Sequence, residues 1–321
     1  MRKLCLGSFL FLLACPVVGA ADDTGKILPL ADAEMLQRLE RDNFSVVSAA
    51  AAGGGVMGAR KLELRFDDGT AIDAKWKVTP AQADGWNNSP RHEIGAYAVQ
   101  KLFLDPEDYL VPPIAVRCIP LADYRVVEKD PTPNLEGTRC VFGALAAWLH
   151  HVYQPDPPFD RERFAKDARY AFHFANLNLL HYLIDHRDGR YSNFLIAKDA
   201  DDARVFSIDN GIAFSGLVYN FLSTNYNTIR VAAVPKKSID RLGRIERQDL
   251  DQLGVLGQLE VDSDGILRNV APTANADPEQ GTRHLPNGGI QFGLTRSEID
   301  AMEQRLRALL KMVDSGELPV F

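Results

Sequence analysis

Three runs of alternating apolar and polar residues, joined by short turns and followed at once by a helical period, constrain this chain more than any other feature. Leu62-Glu63-Leu64-Arg65-Phe66 alternates as a half-buried strand does, Asp67-Asp68-Gly69-Thr70 is a hairpin turn, and Ala71 to Val78 supplies the returning strand. Phe44 to Val47 precedes them across a glycine-rich stretch, Ala49 to Gly58, that places Gly53, Gly54 and Gly55 at the first turn. A three-strand meander is therefore expected. Leu28, Leu30, Met35, Leu36 and Leu39, set among charges, predict a short amphipathic helix within 27–43. After the meander, Ile94, Tyr97, Ala98 and Leu102 predict a helix over 91–104, stopped by Asp105-Pro106.

Further along, Ile114 to Ile119 and Cys140-Val141-Phe142 read as strands, the second leading into the apolar Gly143 to Leu149. One helical pattern runs from Phe164 to Leu183 and opens into an Asp- and Asn-containing loop at 185–193. Phe194 to Ala197 and Val205 to Ile208 are short strands around an acidic turn. Residues 275–289, rich in Gly, Pro and Asn, predict an exposed loop, and Thr295-Arg-Ser-Glu298 is the capping box of a final helix over 295–314. The expected fold class is α+β, two-lobed: a small β-rich N-terminal lobe over 21–142 and a larger, mainly helical C-terminal lobe over 143–321, hinged near Phe142 to Leu149.

At the N-terminus, Arg2 and Lys3 precede the apolar run Leu4 to Ala14, and Val18-Gly19-Ala20 offers small residues for cleavage; residues 1–20 read as a secretory signal. Leu12-Leu13-Ala14-Cys15 also resembles a lipoprotein box, so that any membrane attachment would run through a lipid anchor on Cys15. The apolar run is short for a membrane span, and nothing later is long enough. Removal of the signal leaves Cys118 and Cys140, which either pair, as export permits, or stay as two buried thiols. The formal charge of −7 becomes −9 without Arg2 and Lys3. With no basic stripe to offset it, this charge argues against nucleic acid as a partner.

Phosphoryl transfer asks for a carboxylate at the acceptor hydroxyl, oxygen ligands for a divalent metal, and cations or amides on the phosphates. Residue types for each occur here in order. Asp188 and Asn193 are five apart in a helix-to-strand loop, and His186-Arg187-Asp188 supplies the first letters of the kinase catalytic-loop motif. Asp188 would accept the hydroxyl proton, with Asp185 in the same loop as the alternative, and the Asn193 amide oxygen would ligate metal. Phe206-Ser-Ile-Asp209-Asn-Gly211 ends a strand in a tight turn, the place for a metal carboxylate. Upstream, Lys77 in the third strand and Glu93 at the start of the next helix form a candidate phosphate-holding pair, with Lys75 on the same strand face as competitor. Gly54 and Gly55 would let backbone amides approach the phosphates. Ser215, Ser223 and Thr224 follow the metal turn as activation-segment residues would. His150-His151, His173 and His181 lack a third metal ligand nearby and read as packed or solvated. No Gly-x-Ser-x-Gly element points to hydrolysis.

The order Gly58-Ala-Arg-Lys-Leu62, Asp68-Gly69, Ala74-Lys-Trp-Lys77, Glu93-Ile-Gly-Ala-Tyr97, Val111-Pro-Pro113, Gly143 to Leu149 and Ile208-Asp-Asn-Gly211 resembles the Golgi casein kinase family of secretory-pathway kinases. More distantly, it is similar to the CotH-like spore-coat kinases. The resemblance spans roughly residues 50–230 as short motifs joined by dissimilar loops. It implies an atypical protein-kinase-like fold, ATP with Mn2+ or Mg2+, and acceptors on the secretory route. Position by position it implies Lys77 as the phosphate lysine, in preference to Lys75, Glu93 as its partner, Asp188 as the catalytic aspartate and Asp209 as metal ligand. The family loop Asp-Arg-His-His-Tyr-Glu is here Asp188-Gly-Arg-Tyr-Ser-Asn193, which makes the second metal position an asparagine. The family's multi-disulfide framework is missing.

The function expected is an exported ATP-dependent kinase moving the γ-phosphate of ATP to a hydroxyl on a protein or glycan. Two rival readings are a catalytically silent nucleotide-binding pseudokinase module, and the same fold transferring AMP.

Overall fold

The computed structural model describes residues 25–53, 58–85, 89–157, 159–187, 193–199, 201–214 and 227–321. The predicted signal, Gly54, Gly55, Asp188, Ser215, Ser223 and Thr224 lie outside those residues.

The predicted meander is present and is part of a larger sheet. Helix α1 (Asp32–Glu40) leads into β1 (Phe44–Ala51), β2 (Arg60–Phe66) and β3 (Ala71–Val78), paired antiparallel in sequence order. Strand β1 runs four residues past the predicted end, and a hydrogen bond from Ala52 N to Ala59 O closes its hairpin. Helix α2 (Pro90–Gln100) follows, then β4 (Ile114–Pro120), the short α3 (Leu121–Tyr124) and β5 (Cys140–Ala147). The five strands lie in the order β1-β2-β3-β5-β4. Strand β5 continues five residues beyond Phe142, so much of the predicted hinge segment is sheet. Gly143 is what lets β5 lie against β3: a Cβ there would sit 2.5 Å from Lys77 O and 2.6 Å from the Trp76 ring. Cys118 and Cys140, on adjacent strands, form a disulfide with Cα atoms 5.4 Å apart, which resolves the two readings left open above.

One face of this sheet buries Leu62, Leu64, Ile72, Ala74, Trp76 and Leu145 with Met35 and Leu39 of α1. Each of the larger of these side chains contributes about 2 kcal/mol on burial. The alternation of β3 then leaves Asp73, Lys75 and Lys77 on the opposite face.

Short β6 (Val152–Tyr153) precedes α4 (Arg161–Lys166) and α5 (Ala168–Leu183). The single helix predicted over 164–183 is broken at Asp167, whose carboxylate accepts from the Arg169 and Tyr170 amides and so starts a new helix rather than continuing the old one. Strands β7 (Phe194–Ala197) and β8 (Val205–Ser207) form a hairpin that pairs with β6.

Helices α6 (Lys236–Leu242) and α7 (Arg247–Asp251) are followed by β9 (Gly257–Val261), β10 (Leu267–Val270), β11 (Thr282–His284) and β12 (Ile290–Phe292), a sheet in the order β10-β9-β12-β11. One expectation is corrected by it: the loop predicted over 275–289 contains β11. Its strands of three to five residues are too short to display a period. Helix α8 (Arg296–Asp314) begins with the predicted capping box and buries Ile299, Met302, Leu306 and Leu309 along one stripe. Among the described residues no helix is long and apolar enough to cross a membrane.

Candidate active site

Three elements converge on one carboxylate. Asp209 follows β8 at φ +60°, a left-handed conformation that is unfavourable by about 1 kcal/mol or more for a residue with a Cβ. Its Oδ1 receives Lys77 Nζ at 2.5 Å and Lys75 Nζ at 2.6 Å. Lys77 Nζ also lies 3.1 Å from Glu93 Oε1 on α2, while Glu93 Oε2 accepts the Asn210 backbone N–H at 2.9 Å. Glu93 therefore holds both the lysine and the turn that presents Asp209. Buried Lys and Glu survive in this way, paired and hydrogen-bonded.

The electrostatics follow from that pairing. Burial alone would push the Lys77 ammonium toward neutrality, but the Glu93 and Asp209 carboxylates outweigh it and raise its pKa above the ordinary lysine value. For Asp209, burial opposes ionisation, yet the Lys77 and Lys75 charges win and hold its pKa well below the usual carboxylate range.

Packing fixes the elements that carry these groups. Helix α2 is buried nearly all round, and Gly95 is its point of closest approach: a Cβ there would stand 3.1 Å from both Phe214 and Leu294. The Gln100 side chain accepts from the Leu110 and Val111 amides and donates to Val111 O. Leu110 O in turn accepts the Ser207 amide at 2.8 Å, which ties α2 to the strand ahead of Asp209. Next to Glu93, the His92 ring reaches Glu298 of α8 at 2.9 Å and Gly211 O at 3.4 Å, and Arg91 meets the same Glu298 at 2.6 Å.

Beneath the turn runs a chain of buried polar groups that the sequence did not suggest. Ser207 Oγ lies 2.8 Å from Asn210 Oδ1 and 2.7 Å from His181 Nε2. Serine has one hydroxyl hydrogen, which goes to the amide oxygen, so Nε2 of His181 carries the ring proton. Burial, reinforced by nearby His186, pushes the His181 pKa well below the ordinary histidine value and keeps the ring neutral. Only the serine spacing in Phe206-Ser207-Ile208-Asp209 could have hinted at this.

Of the predicted site residues, Lys77, Glu93 and Asp209 are together, joined by Lys75 as an additional partner rather than a substitute. Asn193 is buried, and its carbonyl accepts the Ile208 amide at 3.0 Å, which sets it across the β7–β8 hairpin from the residue before Asp209. Asp185 is engaged elsewhere: its carboxylate accepts from Arg187 at 3.0 Å and Asn227 at 2.9 Å.

The Asn193 amide and the Asp209 carboxylate are hard oxygen donors, the chemistry of Mg2+ or Mn2+ rather than of a soft metal. Among the described residues no group of three or more His, Cys, Asp or Glu gathers as a dedicated metal cage. Mg2+ is commonly held through one or two protein oxygen donors together with water and substrate phosphates, and two such donors fit that pattern.

A five-stranded antiparallel sheet, a buried helix facing its lysine and a strand end carrying the acid define a kinase-like class of fold. Among solved structures the chain is similar to hydra Fam20, of the Golgi casein kinase family, in a structure described as being with sugar: 14% identity, 85% of this chain and 86% of that one covered, TM-score 0.50. At that identity the likeness is one of fold, and the fold is Fam20-like. No protein-family profile matches the chain, and no curated protein matches it.

Proposed function

We propose that this chain is an exported ATP-dependent phosphotransferase that moves the γ-phosphate of ATP, with Mg2+ or Mn2+, to a hydroxyl on a protein or glycan. The observation that carries this reading is the buried Lys77 held between Glu93 and Asp209. A lysine fixed by a helix carboxylate beside a strand-end aspartate is the arrangement that kinases use to seat the α and β phosphates. The nucleotide would lie in a cleft between a β-rich lobe built on the five-stranded sheet and a second lobe containing α5 and α8, divided within residues 142–149.

In this reading Lys77 binds phosphate, Glu93 keeps it extended, and Asp209 with Asn193 would hold the metal. A bound divalent ion neutralises charge on the phosphate oxygens as the γ-phosphoryl is transferred. Asp188 takes the proton of the acceptor hydroxyl. Gly54 and Gly55 supply amides over the phosphates. Export is supported by the N-terminal signal pattern and by the sequence resemblance to a family of secretory-pathway kinases.

Residues 21–321 incubated with γ-labelled or α-labelled ATP, Mn2+ or Mg2+, and separated glycan and protein fractions of secreted material test the proposal. The expected result is label from the γ position on an acceptor, lost in Asp209→Ala. Label from the α position alone would replace it with AMP transfer.

A further inference from the structure

Lys75 is a feature that kinase chemistry as set out above does not need. One lysine suffices to seat phosphates, yet here two ammonium groups stand on a single oxygen of the acid assigned to the metal. The two are not equivalent. Lys77 has a second carboxylate, Glu93, and its side chain is 13% exposed; the Lys75 side chain is 22% exposed and has Asp209 as its ion-pair partner. A divalent ion arriving at Asp209 Oδ1 meets two positive charges within contact distance, and like charges so close repel strongly in a half-buried site. The less anchored ammonium is the one that leaves. Lys75 projects from the same strand face as Lys77, two residues away, so a phosphate chain seated by Lys77 is its nearest new partner.

Resting on the nucleotide-binding reading above, we infer that Lys75 is an exchangeable internal cation. It pairs with the metal carboxylate before metal binds and transfers to the polyphosphate when metal arrives. Lys75 is thus a positioning residue that makes metal and nucleotide binding mutually dependent. Metal alone binds poorly because it must displace Lys75 with no new partner for the ammonium. Nucleotide supplies that partner, and the coupling is reciprocal.

Calorimetric titration with manganese chloride and with a non-hydrolysable ATP analogue, each alone and together, tests the assignment without any turnover. Relative to the wild type, Lys75→Met should bind Mn2+ alone about tenfold more tightly and the analogue in chelator about tenfold more weakly, in line with removing one nearby charge. The dependence of each ligand on the other should shrink accordingly. Lys75→Arg, which keeps the charge, should restore the wild-type dependence, and Lys61→Met, which removes the ammonium paired to Asp73, should leave it intact. Unchanged or weaker Mn2+ binding in Lys75→Met, with the analogue still bound, overturns the inference alone. Failure of every protein to bind the analogue, with or without Mn2+, overturns the nucleotide-binding reading and this inference with it.

Discussion

Asp209 sits at the end of a strand in a backbone conformation that a non-glycine residue adopts only when its surroundings hold it there. Glu93 holds the Asn210 amide, Ser207 holds the Asn210 side chain, and His181 holds Ser207. All three of His181, Ser207 and Asn210 are fully buried. Ser207→Ala strands two buried polar groups, so it should cost about 2 kcal/mol or more in urea unfolding. It should also weaken Mn2+ binding in the presence of nucleotide, because the turn that presents Asp209 loses its support. A stability change under about 0.5 kcal/mol would show that the chain of polar groups is incidental.

At the scale of elements, the joint between α2 and α8 decides whether Glu93 stays in place. Glu298 serves twice there: its carboxylate accepts the Thr295 amide to cap α8 and receives Arg91 and His92 from α2. Burial alone would raise its pKa, but the hydrogen bonds from His92 and Arg91 and their charge bring it down to about 2, against an ordinary value of 4.5. A depressed acid stabilises the fold fully above its unfolded pKa and loses that contribution as pH falls through the folded one. For Glu298 the loss runs from about pH 4.5 to 2 and amounts to roughly 3 kcal/mol. His173 on α5 adds an earlier stage. Burial lowers it to about 4 from 6.5, so its contribution is present above 6.5 and lost between 6.5 and 4. Urea unfolding followed from pH 7 to 2 should therefore decline in two stages, and Glu298→Gln should make the lower stage shallower, with Asp209 keeping part of it, while leaving the upper one. A Glu298→Gln protein with an unchanged acid limb would remove this joint from the account.

Across the whole molecule, what the sequence made readable was local. The meander, the β3 hairpin turn, the α8 capping box and the Lys77–Glu93 pair rest on spacings within one or two elements, and Asp209 was read from its own turn. The break at Asp167 was hidden because the apolar period continues across it, and only the side chain's preference for the cap ends the helix. The β9–β12 sheet was hidden because its strands are short and lie among turn residues. Lys75 was weighed against Lys77 as a rival, whereas the fold uses both; that required the β3 face and a turn more than a hundred residues later to meet, which no local pattern encodes. The histidine, serine and asparagine beneath the turn likewise become one network only in three dimensions. The account's central claim is that Lys77, Glu93 and Asp209 form a metal and nucleotide site. A crystal structure of residues 21–321 with manganese and a non-hydrolysable ATP analogue, read by manganese anomalous scattering, tests it most directly. The predicted result is an anomalous peak in coordination contact with Asp209 and Asn193, with Lys77 on the α or β phosphate. Nucleotide bound elsewhere, or manganese without contact to Asp209, would contradict it.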